Sequence, residues 1–238
     1  MSSRDEVYPN SPLVEVVFEL RFPGELSVEC RRHEYWERIR DDYPKIWVPT
    51  VVPGKISPLA LEPYRFERED RKAGVMVALN RLAYFTREYQ GHKAFQAEFM
   101  RLHRVFGEIF RIERVNRAGW RYINIIPFAR EDGLIPLDQF LTIGFRLPRQ
   151  VPERFKKLSL VLVSKLDGGT VTTRLETLAS SDGQQEALLL DFDYGKEDNL
   201  QFEEVEAYLH EAHDYTRNLF EDLITDNYRR YLRGEVLS

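Results

Sequence analysis

The sequence predicts an α+β protein made of two repeated units, each an antiparallel curved sheet packed on a long helix. Three observations predict it. A strand-like alternation opens each half, at residues 14–22 and 120–128. Several short strand-like runs separated by turn residues follow in both halves. Each half then closes on a long amphipathic helix, at 92–110 and 202–223. The units are read as 12–114 and 115–238, after a flexible lead-in at 1–11.

The first strand is the clearest. Val14, Val16, Phe18, Leu20 and Phe22 alternate with Glu15, Val17, Glu19 and Arg21, and Pro23-Gly24 ends the run. A helix is expected from an N-cap at Ser27 to Asp42, with Val28, Tyr35, Trp36, Ile39 and Tyr43 on one face and Pro44 as its stop. Strands are expected at 46–52, 61–68, 75–79 and 82–88, with turns at Gly74 and Asn80-Arg81. Gly91 opens the long helix. There Phe95, Phe99, Leu102, Val105, Phe106, Ile109 and Phe110 fall within an arc of about 140°, wide enough for a core-facing stripe.

In the second half a loop and a short helix at 137–141 follow the opening strand. Strands are expected at 158–164, 171–178 and 187–194, joined by turns at Gly168-Gly169 and Asp182-Gly183. The closing helix breaks near Thr225, and a tail helix reaches Leu232. A repeat is read in the two long helices. His103 precedes Phe110 by the same interval as His213 precedes Phe220, and the same shift superposes Ala97 on Ala207, Phe99 on Leu209 and Ile109 on Leu219. Helix-grip and TATA-binding-protein-like folds share this shape, an architectural analogy that carries no function by itself.

Composition bounds the function. The 238 residues are 43% hydrophobic and 13% aromatic, which is globular, and the net charge of -5 disfavours a general nucleic-acid binder. The first 117 residues hold 20 basic and 18 acidic groups, the remainder 14 and 21, so the second half is the acidic one. Cys30 is the sole cysteine, which excludes an intrachain disulfide and a thiolate zinc site within one chain. The polar opening predicts no signal peptide, and no apolar run is long enough to span a bilayer, so a cytoplasmic location with no membrane partner is expected.

The stretch Asn10-Ser11-Pro12-Leu13-Val14-Glu15, with the strand ending in Arg21-Phe22, resembles a sporadically distributed, uncharacterised prokaryotic family of about this length. Its members open with an Asn-x-Pro-(Leu/Ile)-Val-Glu strand. The run from Arg117 to Asn124 is similar to the family's second signature, Phe220 to Asp226 to its third, and Leu190 to Asp193 to a fourth. The resemblance implies an accessory prokaryotic protein and brings no catalytic residues.

Candidate sites are few. Arg121, Tyr122 and Asn124 are polar residues inside a strong strand, with Arg121 on the face opposite the other two unless Gly119 marks a bulge; satisfying neighbouring groups is the plainer role. Asp191 and Asp193 share one face of a strand about 7 Å apart, a spacing that suits acid–base work or a cation but equally a solvated face. His103 and His213 occupy matching flanks of the long helices and are expected to orient them by hydrogen bonds to the sheet. Glu206, His210 and His213 share a flank with metal-ligand spacing, yet Arg217 continues it and disfavours a cation. Lys93, Arg101, Arg104 and Arg111 form a ridge within an arc of about 80°, either a phosphate-binding surface or an ordinary outer face. No Gly-rich phosphate loop, nucleophile elbow or His-Glu-x-x-His motif occurs, so no cofactor and no resident metal are expected. The leading expectation is a non-enzymatic interaction protein with a protein partner. The alternatives are a small-molecule or catalytic helix-grip protein with a cavity under the helix, and phosphate binding through the ridge.

Overall fold

The computed structural model describes residues 7–48, 63–146, 148–150, 154, 156–166, 168–180, 185–197 and 200–235. The chain enters through β1 (Leu13–Arg21), turns into α1 (Leu26–Ile39), and continues as β2 (Lys45–Trp47), β3 (Tyr64–Glu67), β4 (Ala73–Ala78) and β5 (Arg81–Thr86). Helix α2 (His92–Ile109) follows, then β6 (Arg114–Val115), β7 (Arg117–Phe128) and α3 (Leu137–Phe140). Strands β8 (Ser159–Leu166), β9 (Gly169–Ala179), β10 (Glu186–Lys196) and β11 (Leu200–Gln201) lead through a 3-10 turn at Phe202–Glu204 to α4 (Val205–Leu223) and α5 (Asp226–Leu232).

Nearly every expected element forms, with ends shifted by a few residues. The α1 cap is Glu25 rather than Ser27, because its longer carboxylate reaches back to accept from the Ser27 amide at 2.9 Å. Gly91 sits at φ 105°, a backbone that disfavours side chains, and so permits the abrupt entry into α2. The expected Asp182-Gly183 turn and residues 49–52 and 61–62 of two expected strands lie outside the described residues.

The expectation of two sheets is corrected. Among the described residues nine strands form one antiparallel sheet in the order β2-β3-β4-β5-β1-β7-β10-β9-β8, with β6 and β11 a separate small ribbon. Strands β1 and β7 supply the seam, pairing from Leu13 opposite Asn124 to Arg21 opposite Arg117. Left apart, each would offer a row of unpaired backbone groups, so joining them satisfies both edges at once.

All three longer helices cover one face. Alternation sends Phe18, Trp120, Tyr122, Phe192 and Tyr194 to that face, where they are buried. Helix α2 packs Phe99 edge-on to Phe18 at 4.7 Å and Phe95 against Tyr84 at 4.9 Å. Helix α1 brings Tyr35 against Phe66 and Phe106. Helix α4 is fastened by Tyr208, whose hydroxyl donates to the Ala118 carbonyl at 3.0 Å and more distantly to that of Tyr194. Helices α2 and α4 also touch each other, through Gln96 donating to Glu206, while each keeps its apolar stripe on the sheet. Tyr208→Phe removes one buried hydroxyl bond and little volume, so urea denaturation is expected to register a loss of about 1 kcal/mol.

Candidate functional site

The face opposite the helices carries the polar side chains of the central strands. From β1 come Glu15, Glu19 and Arg21; from β7, Arg117 and Arg121; from β10, Asp191 and Asp193; from β5, Arg81, with Arg87 just past its end. They neutralise one another. Arg121 makes two parallel bonds to Asp191, at 2.8 and 2.7 Å. Arg117 bridges Asp193 at 3.0 Å and Glu19 at 3.3 Å, Glu19 also holds Arg21 and Arg81, and Arg87 holds Glu15. Asp191 is enclosed, its side chain 3% exposed against 40% for Arg121. Its hydrogen bonds hold the Arg121 guanidinium above its ordinary pKa, against the opposing effect of burial.

Arg117 lies flat because the strand beneath it lacks side chains. Gly119 on β7 faces Gly195 on β10. A Cβ at either glycine would stand 2.6 or 2.8 Å from the guanidinium nitrogens. The two glycines therefore form a bed on which a charged plane rests against backbone. Beyond this ion-paired centre the same face turns aliphatic, with Ile123, Ile125, Leu189, Ala187 and Leu178 in adjoining rows. The expected pair Asp191 and Asp193 thus shares a face, but each carboxylate is occupied by its own arginine.

Tyr122 and Asn124 point the other way, as regular alternation requires. The register irregularity lies between Leu13 and Glu15 on β1 and not at Gly119, so Arg121 stays apart from them. The Tyr122 hydroxyl donates to that of Tyr89 at 3.1 Å, and Asn124 donates to the Leu190 carbonyl at 3.0 Å. Both line a hollow with Tyr8, Tyr89, Arg217 and Phe220 of about 30 Å³, room for about one water. That is far below the several hundred Å³ of a small-molecule pocket.

The two paired histidines do not bond the sheet as expected. His103 stacks on Phe202 at 3.8 Å, and burial pushes it down to about 4 against the weaker upward pull of the Phe202 backbone and the Glu203 charge. His213 stacks on His92 at 3.9 Å and lies 3.2 Å from the Asp214 carboxylate; burial holds it below its ordinary value. His92 Nε2 in turn stands 3.1 Å from His210 Nδ1. The sequence reading missed His92 in this role, and Arg117 on the other face. No local pattern marks His92: only the docking of the α2 start on α4 brings it to His213.

The basic ridge is partly spoken for. Arg101 pairs with Glu98 and Asp42, while Arg104 and Arg111 are exposed beside Glu108, Glu113 and Glu203, and Lys93 is exposed at the helix start. Glu206 accepts from Gln96. Among the described residues no group of three histidine, cysteine or acidic side chains is placed to hold a metal, and no helix is long and apolar enough to cross a membrane. A scan against protein-family models and a search of curated proteins both found no match.

Proposed function

We propose that the protein is a non-enzymatic accessory factor that binds another protein on the helix-free face of its sheet. The observation that carries this reading is the character of that face: a self-neutralised arginine–carboxylate centre beside rows of half-buried or exposed aliphatic side chains. Among the described residues at the centre of that face five arginines stand among four carboxylates, and Arg174 and Glu176 of β9 add one charge of each sign, a balance that gives no strong field for a polyanion, so a protein partner is preferred to nucleic acid. The one-water hollow under the helices speaks against a small-molecule ligand at Tyr122 and Asn124.

The same reading includes an origin by duplication. The strand order runs β1-β5-β4-β3-β2 outward on one side of the seam and β7-β10-β9-β8 on the other, and a long helix comes next after β5 and, past β11 and a 3-10 turn, after β10. This supports two copies of one unit, in the manner of a TATA-binding-protein-like platform, with the first copy carrying one strand more. A cytoplasmic location and the accessory prokaryotic family indicated by the Asn10–Phe22 motif belong to the proposal.

Photo-crosslinking in the native host tests the reading. A benzoyl-phenylalanine at Ile125 is expected to give a discrete heavier adduct with one partner, and the same group at Arg104 on the helix side is not. Equal labelling at both positions, or no adduct at Ile125, would count against the face.

A further inference from the structure

We infer that β8 is a self-association edge through which two copies of this chain join their sheets. The two edges of the sheet are built differently. Strand β2 is three residues long and carries Lys45, and the guanidinium of Arg65 lies over its Trp47 ring. Such short, charged edges resist pairing. Strand β8 is eight residues long, contains no proline and a single charge, Lys165, and pairs with β9 on one side. Its Val161, Leu162 and Val163 are 50%, 46% and 68% exposed, so apolar groups stand free on both faces of the strand.

The strand is complementary to itself. An antiparallel pairing must keep side chains of like direction opposite one another, which places a two-fold axis normal to the sheet through a residue. With the axis at Leu162, Leu162 meets Leu162, Val161 meets Val163, and Leu158 meets Leu166. Lys165 of the second copy falls opposite uncharged Ser159. Ser159 donates to Glu176 on the adjoining strand, so this lysine is drawn toward a carboxylate one strand further in. No like charges oppose each other anywhere along the strand. Because the outer edge at β2 is blunted, the association closes at two copies instead of growing into a filament. The outcome is an eighteen-stranded sheet with the helices of both copies on the same side.

The full-length chain is tested by sedimentation velocity from about 1 to 100 µM. The expected result is a species of twice the 28.2 kDa chain mass that dissociates on dilution. Leu162→Lys and Leu162→Glu each place a like-charge pair on the axis, and each is expected to weaken the dimer at least tenfold while circular dichroism stays unchanged. Mixing the two variants pairs opposite charges and restores the dimer. A wild-type monomer throughout the range, a dimer unaffected by either charge, a mixture that stays monomeric, or a species that keeps growing with concentration would each overturn the inference.

Discussion

Arg121→Met is expected to cost about 2–3 kcal/mol in urea denaturation at neutral pH. The substitution keeps most of the side-chain length and removes the guanidinium with its charge and its donors. It leaves the Asp191 carboxylate enclosed at 3% exposure without the two bonds that satisfy it. Stranding one member of a fully buried pair typically costs about 3–5 kcal/mol. Water reaches the 40% exposed guanidinium, so the pair is screened and the value is set lower. The double variant Arg121→Met/Asp191→Leu removes the stranded charge as well. It is expected to recover to within about 1 kcal/mol of the wild type, since burying a charge is itself unfavourable. A single variant no less stable than wild type would mean that Asp191 finds another partner, and the account of the ion-paired centre would fail.

That pair also marks how far the sequence could be read. Alternation along residues 120–128 correctly sends Arg121 away from Tyr122 and Asn124, because a strand's period of two depends on nothing beyond the strand. It says nothing of which strand lies alongside. Asp191 meets Arg121 only because β10 pairs with β7 at that register, a contact across 70 residues. The same limit hid the single sheet: Val14–Phe22 reads as a half-buried strand whether its second edge faces solvent or β7. It also hid Arg117, whose posture needs Gly119 and Gly195 to be opposite each other. Helical stripes were legible for the converse reason. The spacing of Phe95, Phe99, Leu102 and Phe106 depends only on the helix's own period, and all four are buried. What those stripes press against, and hence the stack of His92 on His213, is set by the docking of α2 beside α4.

Acid stability gives the second large effect, and it isolates His103. An unfolded histidine takes up its proton near 6.5, whereas His103 in the folded chain resists until about 4. Between those values the unfolded chain binds the additional proton, so stability is complete above about pH 6.5 and falls as the pH drops toward 4. A full proton corresponds to about 1.4 kcal/mol per pH unit, so the loss from this residue is about 2.5 kcal/mol by pH 4.5. Burial outweighs the upward pull of the Phe202 backbone and the Glu203 charge. His213 is depressed in the same direction and adds to the slope. His103→Phe keeps a ring to stack on Phe202 and removes the titration. Relative to wild type, the variant is therefore expected to gain about 2.5 kcal/mol between pH 7.5 and pH 4.5, read from urea midpoints at the two values. Parallel curves for variant and wild type over that window would show that His103 is protonated equally in both states, and the buried stack would not be the acid-sensitive contact of the fold.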